Sequence, residues 1–178
     1  MNNKVEVRGN TAIIQIKSKG EITCALVDTN QLPKVAAIPG SWYAMNVGGK
    51  RGEKIYVGTT IGGITIYLHM LIKGKIPGLV IDHINHDTLD NRRENIRNVT
   101  TSENGQNRKG AQVNNLTSGI RNVYQNGKNW AVRLTKNGKT IHVGTYPSIY
   151  TAERIASKAR QYYYEEGGHY GNRKEFIV

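Results

Sequence analysis

From Thr11 to about Leu68 the chain is a succession of short alternating or apolar runs broken by glycine: AIIQIK, ITCALV, WYAMNV, KIYVGTT and ITIYLHMLI. Runs of this length, rich in β-branched residues, predict strands and hairpins. The polar joints Ser18-Lys19-Gly20-Glu21, Gly48-Gly49-Lys50-Arg51-Gly52 and Gly62-Gly63 supply the turns, while Pro33 and Pro39 bound the middle connection. The basic turn at Lys50, Arg51 and Lys54 is either a solvated hairpin tip or a contact to phosphate.

The pattern changes after Ile76. Gly78-Leu79-Val80-Ile81 reads as a strand that ends at Asp82 and His83, followed by a polar loop. Asn91-Arg92-Arg93-Glu94 has the form of a capping box and predicts a first short helix, and a second helical signal begins near Thr101. AQVNNLT, residues 111–117, has little periodicity and reads as a linker. Beyond it, three strands are separated by Asn126-Gly127 and Asn137-Gly138, both hairpin-turn pairs. A helix follows from about Thr151 to Glu166 with Ala152, Ile155, Ala156, Ala159 and Tyr163 on one face, ended by Gly167 and Gly168. Period-two alternation sends Trp130, Val132 and Leu134 toward that helix, with Ile141 and Val143 from the next strand. The same alternation gathers Arg121, Arg133 and His142 on the open face.

A net charge of +12 on 178 residues, with a pI near 9.9, favours a polyanionic partner, and nucleic acid is the commonest. No apolar run approaches the ~20 residues of a membrane span, and MNNKVEVRGN lacks the apolar core of a signal peptide, so a cytoplasmic protein is expected. The single Cys24 excludes an internal disulfide and Cys-x-x-Cys zinc knuckles, and is expected to be a small buried apolar residue.

The sharpest chemical signal is GLVIDHINHDTLDNRRENIRNVTTSENGQNRK, residues 78–109. Asp82 and His83 are adjacent, Asn95 lies twelve residues past the histidine, and Asn104 lies nine further on. This spacing resembles the HNH endonuclease family, in particular the intron-encoded and phage homing branch. The resemblance implies a ββα-metal unit in which His83 is the general base and Asn95 holds the loop and imidazole in register. It implies Asp82 and Asn104 as metal ligands; a carboxylate and an amide oxygen are hard donors suited to Mg²⁺ or Mn²⁺. His86 and Asn107 are weaker candidates, Asn107 as a substitute ligand, and His69 is expected to have a hydrogen-bonded structural role. Arg92, Arg93, Arg97, Arg108 and Lys109 surround the motif as candidate phosphate contacts.

In the C-terminal region, Gly119-Ile120-Arg121, Trp130 and Val143-Gly144-Thr145-Tyr146 together resemble the plant Apetala-type (ethylene-response-factor) DNA-binding domain. That resemblance implies that Arg121, Arg133 and His142 face the major groove, although Val123 and His142 replace an Arg and a Trp of the plant pattern. The expected fold class is α+β. It comprises a β-rich region over 1–68, a nuclease module over 69–110, a linker over 111–117, a three-stranded antiparallel sheet packed on one helix over 118–168, and a tail over 169–178. The expected function is a metal-dependent homing endonuclease acting on double-stranded DNA as a monomer or homodimer, with no obligatory protein partner. The rival is a non-catalytic DNA-binding regulator on an inactive nuclease scaffold. An RNA-binding protein would explain the charge but not the spacing.

Overall fold

The structure is a computed structural model that describes residues 1–48, 54–108, 110–112 and 114–165. It divides into two compact units, 1–101 and 102–178. The expected turn cations Lys50 and Arg51, together with Lys109, Gly167, Gly168 and the tail, lie outside the described residues.

The first unit is built on a six-stranded sheet: β1 (Val5–Arg8), β2 (Thr11–Ser18), β3 (Glu21–Asp28), β4 (Tyr43–Asn46), β5 (Ile55–Ile61) and β6 (Ile64–Tyr67). β2 pairs along its whole length with β3. It also pairs with β1 over its first half and meets β4 in parallel at Lys17 and Tyr43. The β2–β3 turn places Lys19 at φ +49° and Gly20 at φ +89°, and the β5–β6 turn places Gly62 and Gly63 at positive φ. Two such residues in succession are the hallmark of the turns that match strand twist. Alternation along β2 buries Ala12, Ile14 and Ile16, and along β3 Ala25 and Val27. The same alternation turns Cys24 outward, opposite Gln15, so the buried position expected for it is corrected to an exposed one.

Two further corrections concern helices. The apolar run ITIYLHMLI is not one strand: β6 stops at Tyr67 and the chain coils into α2 (Leu68–Lys73), burying Leu68, His69 and Ile72. The middle connection carries a 3₁₀ turn, Thr29–Gln31, and α1 (Leu32–Ala36), with Pro33 in the first turn where its missing N–H costs nothing. Val35 of α1 packs with Trp42, whose indole Nε1–H donates to the Val35 carbonyl at 3.3 Å.

A two-stranded ladder, β7 (Val80–His83) and β8 (Ile96–Val99), completes this unit. Ile96 joins the same core as Ile14, Val57 and Leu68. β7 and β8 are followed in the chain by α3 (Thr101–Gln106), the ββα order that the resemblance implies. The helix expected from Asn91 to Glu94 does not form. Those residues make turns, because Asp90 and Asn91 are drawn out along β3 and only a few residues remain before β8 begins.

In the second unit, β9 (Val123–Asn126), β10 (Asn129–Lys136) and β11 (Lys139–Tyr146) form an antiparallel sheet with β10 central, and α4 (Ile149–Arg160) packs on it. Val132, Leu134, Ile141 and Val143 meet Ala152, Ile155, Ala156, Ala159 and Tyr163 in one core, the face that the sequence alternation selects. A bulge between Val132 and Arg133 shifts the register. Ala131, expected on the open face, is fully buried between Tyr124 and Thr145 in register. The β9–β10 loop is Gly127-Lys128, with Gly127 at φ +59° in first position, one residue later than an Asn-Gly turn would be. The second hairpin uses Asn137 and Gly138, both at positive φ, as expected. A Cβ at Gly144 would meet the Tyr146 ring, with the hydroxyl at 2.5 Å, so any other residue there makes that side chain move.

The segment read as a linker ends in a polar hub. Buried Asn115 donates through its two Nδ2 hydrogens to the Ile120 and Val123 carbonyls, both at 2.8 Å, with Ser118 Oγ also 3.0 Å from Nδ2. Leu134→Ala, which empties a fully buried position beneath α4, is expected to destabilise the second unit by about 2–5 kcal/mol in urea unfolding followed by circular dichroism.

Candidate active site

The site is built on β7 and the twelve-residue connection that links it to β8. Antiparallel register sets Asp82 opposite Arg97 and His83 opposite Ile96. Both Asp82 (8% exposed) and His83 (5%) are buried, so each needs polar or charged partners inside the protein. Arg97 is one for the carboxylate, donating from Nε and Nη2 to Asp82 Oδ2 at 3.1 and 3.0 Å.

His83 lies among rings. Its centroid is 5.4 Å from that of His69, edge to face, and 6.1 Å from Tyr56; His69 in turn stacks on Tyr67 at 5.7 Å. Burial pushes the His83 imidazole below its ordinary pKa, and the contact to Asn91 and the charges of Asp82, Asp87 and Asp90 only partly oppose this. The ring is therefore neutral through the physiological range. Asn91 is fully buried and spends its amide N–H groups on the Leu89 and Thr88 carbonyls, at 3.0 and 3.4 Å, which turns Oδ1 toward His83 Nε2 at 3.5 Å. An amide oxygen only accepts, so this long contact favours the tautomer with the proton on Nε2 and the basic lone pair on Nδ1.

The connection itself is stapled from inside. Asn95 accepts the Asn85 N–H on Oδ1 at 2.9 Å and donates from Nδ2 to the Asp90 carbonyl at 2.7 Å, while its own carbonyl accepts from the Ile84 N–H. Asp90 is the second staple, receiving Arg92 Nε and Nη2 on its two oxygens at 2.9 and 2.8 Å and Asn85 Nδ2 at 3.1 Å. Burial raises the Asp90 pKa, but the Arg92 hydrogen bonds outweigh it and hold the carboxyl below its usual range.

The connection is also held from outside, by the N-terminal sheet. The Leu26 N–H donates to the Leu89 carbonyl and the Asn91 N–H to the Leu26 carbonyl, a short parallel bridge on the edge of β3. Asp28 Oδ2 accepts the Arg93 N–H at 2.8 Å, and the Thr88 hydroxyl donates to the Ile55 carbonyl.

Asp82, His83 and Asn95 are thus brought together in the first unit, and Asn104 lies on α3. The cations divide by what already holds them. Arg92 is bound to Asp90 and Glu94, and Arg97 to Asp82, whereas Arg93 and Arg108 are exposed. In the second unit Arg121 is not on the open sheet face where the sequence put it. It precedes β9, and its guanidinium donates to the carbonyls of Gln106, at 2.6 Å, and Arg108, with the Tyr164 ring 5.8 Å below. Arg133 and His142 do face each other across β10 and β11. His86 takes a positive φ of +66° in the turn after His83. Contrary to the hydrogen-bonded role expected of it, His69 has a buried Nδ1 without a partner.

The sequence reading missed Asn91, Asp90, Tyr56 and Tyr67. Asn91 was visible but its helix-capping signature pointed to the wrong partner, and the two tyrosines sit on strands whose register to the motif no local pattern carries.

Among the described residues no cluster of three or more His, Cys, Asp and Glu side chains is arranged to hold a metal. The Asp82 carboxylate is a hard oxygen donor of the kind a divalent ion takes, and in this respect it fits such an ion, although Arg97 occupies one of its oxygens.

Two outcomes follow from this geometry. Burial, and secondarily His83, bring the His69 pKa down to about 4, so the unfolded chain binds a proton that the folded one refuses between that value and the ordinary 6.5. Stability is full above pH 6.5 and falls as pH drops toward 4, by ~3 kcal/mol; urea midpoints across this window should show a slope that His69→Phe reduces. Asn95→Ala leaves the Asn85 N–H without its acceptor, and its amide should exchange with deuterium at least about tenfold faster by mass spectrometry.

Among known proteins, the chain is 28% identical over 141 residues to an uncharacterized HNH endonuclease of Acanthamoeba polyphaga mimivirus, a similarity that covers 77% of this chain and 68% of the viral one. No solved structure matches it. No helix among the described residues is long and apolar enough to cross a membrane. Residues 67–106, which run from the end of β6 through α3 and include Asp82, His83, Asn95 and Asn104, match the family described as HNH endonuclease.

Proposed function

We propose that the protein is a metal-dependent, homing-type endonuclease that hydrolyses phosphodiester bonds of double-stranded DNA. The observation that carries this reading is a buried, neutral imidazole at His83 on the same strand end as a buried, cation-balanced carboxylate at Asp82. Hydrolysis requires a water molecule to lose a proton as it attacks phosphorus, and a neutral imidazole is suited to take it. In this reading His83 accepts that proton on Nδ1, and Asn91 and Asn95 keep the ring and its loop in place.

Asp82 and Asn104 are the proposed ligands for Mg²⁺ or Mn²⁺, and when bound the ion supplies charge stabilisation at the phosphate and the departing 3′ oxygen. Arg93, Arg108 and Lys109 are proposed to contact backbone phosphates. Arg133 and His142 are proposed to lie on the DNA-facing surface of an Apetala-like sheet, for which the three-stranded topology, the helix beneath it and the Gly144–Tyr146 pairing give support. Arg121 is better assigned to bracing the end of α3, since two backbone carbonyls already occupy its guanidinium.

The test is cleavage of supercoiled plasmid and of linear duplex DNA with Mg²⁺, with Mn²⁺ and with EDTA. The expected result is nicking or linearisation that requires the divalent ion and falls by about 10²–10⁴ in His83→Ala. Tight duplex binding without cutting under every condition would instead identify a non-catalytic DNA-binding protein.

A further inference from the structure

The pairing of Arg97 with Asp82 is placed oddly for a structural salt bridge. It joins a side chain that is 41% exposed to one that is 9% exposed, across neighbouring strands, at the residue proposed to bind the metal. Its geometry is also one-sided. Nε and Nη2 both converge on Oδ2, in place of the parallel fork in which each N–H takes its own oxygen. By contrast Arg92 grips Asp90 in that parallel fashion, one oxygen per N–H, in a contact that belongs to the loop's permanent framework. The Arg92–Asp90 and Arg97–Asp82 contacts thus differ in build: one spans both carboxylate oxygens and the other meets a single oxygen.

A buried carboxylate cannot be left without a counter-charge, because removing one partner of such a pair costs several kcal/mol. A guanidinium and a divalent ion on the same carboxylate also repel each other. We propose that Arg97 is the resident counter-ion of Asp82 in the ion-free protein and is displaced from it by the incoming divalent metal, so that Arg97 sets how tightly the site binds metal. This rests on the reading of Asp82 as a metal ligand. Partial exposure lets the side chain swing outward without unpacking the ladder, and a guanidinium released beside the metal is available to a phosphate oxygen. The proposal therefore makes Arg97 a positioning residue whose charge moves from carboxylate to substrate as the site is loaded.

The experiment is titration of the full-length protein with Mn²⁺ in the absence of DNA, by isothermal calorimetry and by the electron paramagnetic resonance signal of free Mn²⁺. Wild type, Arg97→Gln, Arg97→Lys, Asp82→Asn and the Asp82→Asn/Arg97→Gln double variant are compared. Arg97→Gln should bind Mn²⁺ about tenfold more tightly than wild type, a change of ~1.4 kcal/mol, since the guanidinium no longer competes for Asp82. Its melting temperature without metal should be lower and its gain on adding Mn²⁺ larger. Arg97→Lys, which keeps the charge and the fold but loses the two-donor contact, should fall between the two and serves as the readout if Arg97→Gln does not fold. The double variant should match Asp82→Asn, because the arginine has then lost its site of competition.

If Asp82→Asn weakens Mn²⁺ binding while the Arg97 variants bind no more tightly than wild type, the exchange is overturned and Asp82 stands as a ligand. If Asp82→Asn leaves Mn²⁺ binding unchanged, the ligand reading itself fails and takes the exchange with it.

Discussion

The connection between β7 and β8 contains two large aliphatic side chains, Ile84 and Leu89, and Ile84 points to solvent. A segment so polar cannot hold a shape by burying apolar surface, yet it places Asn91 against the buried His83 ring and keeps Asn85, Asp90 and Asn95 in one hydrogen-bonded frame. What makes this possible is the parallel bridge between Leu26 and residues 89–91, where β3 lends its outer edge to the loop. Leu89 packs against the main core, Asn91 is fixed with its amide toward His83, and Asp90 is presented inward, where Arg92 and Asn85 close on it. The N-terminal sheet is the support on which this polar loop is bent.

This arrangement also accounts for what the sequence did and did not disclose. The motif residues were legible because their types and spacing carry chemical meaning: Asp82 and His83 at a strand end, Asn95 twelve residues on, and α3 beginning at Thr101. The sheet and helix of the second unit were legible because period-two and helical periodicities operate locally, and Ala152, Ile155, Ala156, Ala159 and Tyr163 all lie in the expected core. Long-range pairing was not legible. Asn91 with Glu94 satisfies every local condition for a capping box, but the β3 edge offers Asn91 a backbone partner that the sequence near it does not mention. Leu68 to Lys73 failed for a different reason: a short apolar run has no periodicity that separates a buried helix from a strand. Arg121 failed because the first strand begins later than its apolar residues suggest, which moves the side chain off the sheet and onto the carbonyls at the end of α3.

At the centre, two adjacent residues of one strand are given opposite electrostatic environments. Asp82 is buried but receives a cation from the facing strand, so its negative charge is matched. His83, one residue on, is buried among Tyr56, His69 and Asn91, none of which is charged near neutral pH, so a positive charge on its ring would be costly. A strand makes this separation possible, because successive side chains leave on opposite faces and meet different neighbours. His69 packs edge to face against the His83 ring, within the burial that disfavours a charged imidazole there. A cation-paired carboxylate and a buried imidazole thus stand side by side, and both environments come from the register of one two-stranded ladder against the sheet that supports it.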